Sequence, residues 1–222
     1  ALATKSRPGY QHEVCSHCAS AEIESVQPMK DIFLWCHMTE ELEQDWPLRR
    51  LEQQSGLEPG KDIFYTPGYE HKGALSPTDV PTLYNLWDCL LYLSGGEGFG
   101  LPAWEAMCAG LPVIYPNYSA HAEFLGKANA GLPVGGILQP ERQSCLWRMI
   151  ADLPQTIEAV RRLYFDRKLA ALLGLNGRAF VQDYVPEIMV EKWHRIFQAA
   201  LSGNVISPHQ DLAEKAVRAP AS

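Results

Sequence analysis

The stretch Ser94-Gly95-Gly96-Glu97-Gly98-Phe99-Gly100-Leu101-Pro102-Ala103-Trp104-Glu105-Ala106-Met107 joins a strand end, a glycine turn and a helix start, and it carries two spaced carboxylates. Few folds accommodate that order of features. The run before it, Asp88-Cys89-Leu90-Leu91-Tyr92-Leu93, is short and mostly apolar with a turn signal after it, which predicts a strand buried on both faces of a parallel sheet. Glycines at 95, 96, 98 and 100 permit positive φ and let backbone approach a ligand closely. Pro102 suits the first helical positions, where a missing N–H costs nothing, so Leu101 to Ala109 is predicted as a helix. The N–H groups around Gly98, Phe99, Gly100 and Leu101 then point beyond the strand's carboxyl end, where open α/β sheets bind ligands and a helix N-terminus favours an anion. A phosphate or a polar sugar is the expected guest.

Glu97 sits in the turn and Glu105 about one helical turn beyond the proline, so both can face one crevice. Carboxylates repel phosphate, and their natural partners are hydroxyls. An ionised carboxylate has two acceptor oxygens and no donor, which suits a vicinal diol such as a ribose 2′,3′ pair or two hexose hydroxyls. The competing reading of Glu105 is a first-turn acid that offsets the helix dipole.

Glu97 through Glu105, continuing as Ala106-Met107 and Gly110-Leu111-Pro112-Val113-Ile114, resembles the E-G-F-G-L-P-x-x-E-A-M-x-x-G-x-P-V-I signature of retaining glycosyltransferases of GT-B architecture, in particular their family four. The resemblance implies an α/β, Rossmann-like, doubly wound parallel sheet with C-terminal helices, forming the donor-binding half of the enzyme. It implies that Glu97 contacts the donor sugar, as the one catalytic candidate, that the amides of Gly98, Phe99, Gly100 and Leu101 meet the sugar and diphosphate, and that Glu105 holds the ribose hydroxyls. The loop Thr66-Pro67-Gly68-Tyr69 lies against the nucleotide base in similar enzymes, which makes Tyr69 a base-contact candidate. The implied reaction is transfer of a hexosyl group from a nucleoside diphosphate sugar to an acceptor hydroxyl with retention. No cofactor or bound metal is implied, the nucleotide sugar being substrate. An acceptor-binding N-terminal domain or partner chain is the expected companion.

The rest of the span 31–201 fits such a half. Strands are expected at Asp31–Cys36, Asp62–Tyr65 and Pro112–Tyr115, and helices at 40–54 and 78–87, in the alternation that indicates a parallel, doubly wound sheet. Asn117 to Phe124 is read as a short loop and helix. Beyond residue 150 only helices are expected, over 156–163, 167–183 and 187–201, the last with an apolar stripe of Ile188, Trp193, Ile196, Phe197 and Leu201. Residues 202–222 read as a flexible tail.

A length of 222 residues fits one α/β domain with appendages, and a net charge of −7 argues against a broad nucleic-acid-binding surface. No apolar run approaches a membrane span and no secretory signal is found, so a cytoplasmic chain is expected, with peripheral membrane contact compatible because similar enzymes act on lipid-linked acceptors. Six cysteines include Cys15-Ser16-His17-Cys18, near His12 and Cys36-His37, but a second pair at zinc spacing is absent. Reduced structural thiols are the favoured reading, with Cys89 and Cys108 expected to be buried. His121 reads as a packing or loop histidine. Residues 1–30 depart from the family pattern: Lys5 and Arg7 precede Pro8-Gly9, with no strand, Gly-Arg turn and lysine to hold the diphosphate. The chain is therefore expected to bind a nucleotide sugar and to need other elements for turnover, as a fragment of a complete enzyme. Two rivals stand beside this. One is a non-catalytic nucleotide-sugar-binding subunit that docks a partner. The other is an NAD-dependent oxidoreductase, since Gly98 to Ala103 fits G-x-G-x-x-[GA], although no acidic residue follows Tyr115-Pro116-Asn117 to hold an adenosine ribose.

Overall fold

Val113–Pro116 is apolar at every position and buried at every position. Successive side chains of a strand point to opposite faces. Val113 and Tyr115 accordingly enter one core cluster, and Ile114 enters another. A strand of this kind needs a helix layer on each side, and the chain supplies both. The computed structural model describes residues 29–38, 48–66, 75–76, 78–141 and 146–203.

In chain order the elements are β1 (Leu34–Cys36), α1 (Leu48–Ser55), β2 (Ile63–Tyr65), α2 (Val80–Leu86), β3 (Leu90–Leu91), α3 (Leu101–Ala109), β4 (Val113–Pro116), α4 (Ser119–Ala128), β5 (Gly131–Val134), β6 (Gly136–Pro140), β7 (Trp147–Ala151), α5 (Leu153–Phe165), α6 (Arg167–Val181) and α7 (Pro186–Leu201), with a short 3₁₀ turn at Gln182–Tyr184 between the last two. β3, β4 and β5 form a parallel sheet in that order, with Leu90 opposite Val113 and Val113 opposite Gly131. β1 and β2 form a second parallel pair, with Leu34 opposite Ile63. On one face of the larger sheet, Tyr84 of α2, Ala103, Ala106 and Met107 of α3 and Phe124 and Leu125 of α4 pack together. On the other, Ala159 and Leu163 of α5 and Ala170 and Leu173 of α6 cover Ile114 and Val134. This is the expected Rossmann-like α/β arrangement, with helices on both faces of parallel strands.

The helix predicted at Leu101–Ala109 has those bounds. Gly110, left-handed at φ 78°, ends it, and the Leu111 N–H donates to the Ala106 carbonyl at 2.9 Å. That closure satisfies carbonyls the last turn would otherwise leave free. The joint also lets α3 touch α6: a Cβ on Gly174 would lie 2.0 Å from the Gly110 carbonyl oxygen. α5 and α6 start on aspartate caps, Asp152 accepting from the Gln155 N–H and Asp166 from the Leu169 N–H.

Several expectations are corrected. β3 is only two residues long, and Leu91 is 40% exposed, because among the described residues β3 pairs with β4 alone and forms a sheet edge. Of the glycines at 95, 96, 98 and 100, only Gly100 takes a positive φ. In α1 the buried residue is Glu52, which accepts a hydrogen bond from the Tyr65 hydroxyl, while Leu51 is exposed. Cys108 is exposed rather than buried, since its side of α3 borders a cavity. Strand β5 and the antiparallel hairpin β6–β7 have no counterpart in the sequence reading. The helices after residue 151 are present, but no residue of α7 is buried, so its apolar stripe is uncovered among the described residues. Residues 202–203 end the described chain, and the remainder of the expected tail lies outside it, as do Cys15, Cys18, His12 and His17.

Gly174→Ala sets a helix-propensity gain of up to about 1 kcal/mol against a backbone clash that cannot relax by rotamer change. The clash is expected to win, destabilising the chain by about 1–3 kcal/mol in urea unfolding. Gly98→Ala, where a Cβ meets nothing within 4 Å, should leave the midpoint nearly unchanged.

Candidate nucleotide-sugar site

β3 ends at Leu91, and the chain reaches α3 through the glycine turn, so the turn stands at the carboxyl end of the parallel sheet. Gly100 makes the final reversal at φ 98°. A side chain there would be strained by its backbone and would also meet the His121 Cβ at 2.9 Å. The Gly100 carbonyl accepts from Ala103 and Trp104, opening the helix. Among the described residues, the N–H groups of Gly98, Phe99, Gly100 and Leu101 have no hydrogen-bond partner. The Phe99 ring turns away to pack on Trp104 and Phe124, each at a centroid distance of 5.3 Å, and so anchors the turn through its side chain. The result is a row of free amides at a helix start, an arrangement that receives anions.

Glu105 lies past the first turn of α3, which removes the reading of it as a dipole-offsetting acid. The Tyr84 hydroxyl donates to its Oε2 at 2.9 Å. Burial, then the hydrogen bond to Glu105 and its charge, pushes the Tyr84 hydroxyl well above its ordinary range, so it remains a proton donor. Glu105 and Tyr84 line a cavity of about 600 Å³ between α2, α3 and α6, together with Asn85, Cys108 and Arg178. Arg178 comes from the last turn of α6 and puts a cation into the same cavity. Nothing in the local sequence around Arg178 marks it, because only the packing of α6 on α3 brings it there.

Glu97 is not in the lining of that cavity and is held by a second group. The Tyr92 hydroxyl donates to its Oε1 at 2.7 Å, and its own N–H donates to Ser119 Oγ at 3.0 Å. The hydrogen bond from Tyr92, then that from Ser94, lowers the Glu97 pKa against a smaller opposing effect of burial. His121 is fully buried, as a packing residue should be, with its ring edge-on to Tyr92 and Tyr115. Burial lowers its pKa, offset in part by the Pro116 carbonyl and the Glu97 charge. The two carboxylate–tyrosine groups are neighbours, since Tyr92 also bears on the Tyr84 hydroxyl.

Thr66, buried directly after β2, accepts from Trp35 Nε1 at 3.1 Å and shares a 2.9 Å hydrogen bond with His37 Nδ1. His37 feels the charge of Glu105, which partly offsets the lowering of its pKa by burial. Tyr69, the expected base contact, lies outside the described residues. Among the described residues no group of three or more His, Cys, Asp or Glu side chains is placed to hold a metal ion. No described helix is long and apolar enough to cross a membrane.

Residues 66–143 match the family of glycosyl transferases group 1. Over 42 residues, 19% of this chain, the sequence is 52% identical to ORF313 of Acidianus filamentous virus 1 (isolate United States/Yellowstone), a candidate glycosyltransferase, covering 13% of it. Over 56 residues, 25% of this chain, it is 41% identical to the O-antigen chain mannosyltransferase B of Escherichia coli, covering 15% of that protein. The fold aligns over 75% of this chain and 38% of sucrose-phosphate synthase from Thermosynechococcus elongatus, at 22% identity and a TM-score of 0.50. Residues 66–143 are thus similar to a group 1 glycosyltransferase domain, and the chain shares the Rossmann-like α/β fold of that structure. It aligns with well under half the length of each of these proteins.

A carboxylate whose folded pKa is lowered adds stability above its unfolded value of 4.5 and loses it as pH falls through the folded value. Wild-type stability should therefore fall more steeply than that of Glu97→Gln between about pH 5 and pH 3, as read by urea midpoints across that window.

Proposed function

We propose that this chain is the donor-binding half of a hexosyltransferase that moves a hexosyl group from a nucleoside diphosphate sugar to an acceptor hydroxyl with retention at the anomeric carbon. The observation that carries the reading is the row of unpartnered amides from Gly98 to Leu101, flanked by two carboxylates that each keep a tyrosine hydroxyl as partner. Amides and a helix start suit a diphosphate, whereas carboxylates suit hydroxyls. Glu105, with one oxygen on Tyr84, offers the other to a ribose hydroxyl, and Arg178 across the cavity adds positive potential. Glu97 takes the sugar. The mannosyltransferase activity in the name of the Escherichia coli relative supports a hexosyl donor.

The chemistry needs stabilisation of two developing charges. As the bond between the anomeric carbon and the diphosphate breaks, negative charge grows on the leaving phosphate, and the preset amides of the turn receive it without reorganising. Positive, oxocarbenium-like charge grows on the sugar, and ionised Glu97 both orients the ring and stabilises that charge. The acceptor hydroxyl and the group that takes its proton come from the expected N-terminal domain or partner chain. The reaction compartment is proposed to be the cytoplasm, with contact to a membrane surface where the acceptor is lipid-linked.

Calorimetric titration with UDP, GDP, ADP and their hexose conjugates tests the reading. One base should give saturable binding. Glu105→Ala should weaken the plain diphosphate by about 1–3 kcal/mol, the range for a lost charge-assisted hydrogen bond. Glu97→Ala should weaken chiefly the added affinity of the sugar conjugate. Equal losses on plain diphosphates in both variants would contradict this division of roles, and binding only of NAD would favour the oxidoreductase alternative.

A further inference from the structure

We propose that Tyr92 is the positioning residue of Glu97: its hydroxyl fixes one carboxylate oxygen and leaves the other for a donor hydroxyl, while Ser119 and His121 brace the same turn from α4. The proposal rests on the donor-site reading above. Glu97 lies among Gly95, Gly96 and Gly98, in a segment with few side chains of its own to hold it. A carboxylate on so permissive a backbone spreads over many rotamers unless something outside the turn fixes it. Beside the Ser94 hydroxyl, which also bears on the carboxylate, two tethers from outside the turn do so here. One is the 2.7 Å bond from the Tyr92 hydroxyl to Oε1, and the other is the 3.0 Å bond from the Glu97 N–H to Ser119 Oγ.

Both tethers are themselves fixed. The Tyr92 ring meets the fully buried His121 edge-on at a centroid distance of 5.5 Å and an interplanar angle of 79°. The ring also runs past Gly100, where a Cβ would stand 3.6 Å from it. Ser119 holds φ at 59°, an uncommon conformation for a residue with a side chain. Its hydroxyl shares a 3.3 Å hydrogen bond with His121 Nδ1, so one imidazole supports both tethers. His121 Nε2 is buried with no partner among the described residues. A ring buried at that cost is explained by what it holds in place. The titratable groups facing Glu97 are Tyr92 and His121, and Arg148 of β7, beside Gly95, is paired with Glu141.

The test uses the full chain and Tyr92→Phe, which keeps the ring and removes the hydroxyl. Two quantities are read: the Glu97 titration by carboxyl carbon NMR without ligand, and the affinity ratio of each hexose conjugate to its plain nucleoside diphosphate. Tyr92→Phe should raise the Glu97 pKa, leave the plain diphosphate within about twofold and cut the sugar advantage about tenfold, the size of one hydrogen bond to a charged group. The sugar advantage should also fail at a higher pH than in wild type. An unmoved Glu97 titration with an intact sugar advantage overturns the proposal, and so does equal loss of plain and sugar-bearing nucleotides. If Tyr92→Phe does not fold, Ser119→Ala removes the other tether without touching β3 and must cut the sugar advantage; full retention overturns the proposal. If the wild-type chain binds no nucleotide, the donor reading fails by itself, and the Glu97 titration alone decides whether Tyr92 holds the carboxylate.

Discussion

Between β3 and α3 the chain has to reverse at the carboxyl edge of the sheet, and it does so through Gly100, left-handed, with His121 packed against the place a side chain would fill. Everything functional follows from that joint. It starts α3 where its first amides face outward, sets Glu105 on the side of α3 that borders α2, and delivers Glu97 to the turn just before. The far end of α3 is equally constrained, because Gly110 and Gly174 bring the backbones of α3 and α6 into direct contact. A helix held at its start by the His121 side chain against Gly100 and at its end by a backbone contact has little freedom to shift, and a preset row of amides is what an anion site requires.

The two carboxylates solve one problem in different settings. Glu105 stands on a rigid helix and needs only its hydroxyl partner, Tyr84. Glu97 stands in a glycine turn and depends on groups from β3 and α4, which reach it through hydroxyls. In both cases the partner is a tyrosine whose proton is held firmly by burial and by the carboxylate. A neutral donor occupies one carboxylate oxygen and leaves acceptor capacity on the other, which suits a hydroxyl-bearing guest.

The local chemistry of the motif was legible in the sequence. The glycines and Pro102 placed α3 at its observed bounds, since turn and cap preferences act over a few residues. Parallel strands and their alternation with helices were legible for the same reason, and the strand expected at Pro112–Tyr115 is found at Val113–Pro116, whereas burial on both faces was expected of the strand before it, which turns out to lie at a sheet edge. What escaped was everything decided by distant packing. Tyr92 looks like one more apolar strand residue until the sheet edge leaves its hydroxyl beside Glu97. Arg178 and Tyr84 reach one cavity from helices almost a hundred residues apart in sequence. The β6–β7 hairpin, exposed throughout β6, lacks the alternation that would have marked it. Glu52 is buried because Tyr65 meets it from the neighbouring strand, a pairing no helical period reveals.

The most direct measurement is backbone amide NMR of the chain during titration with the hexose conjugate of the nucleotide it binds. The account predicts that the largest changes fall on Gly98, Phe99, Gly100 and Leu101, accompanied by Glu105 and by Asn85 at the cavity. Changes confined to α7 or to the β6–β7 hairpin, with the glycine turn unmoved, would contradict it.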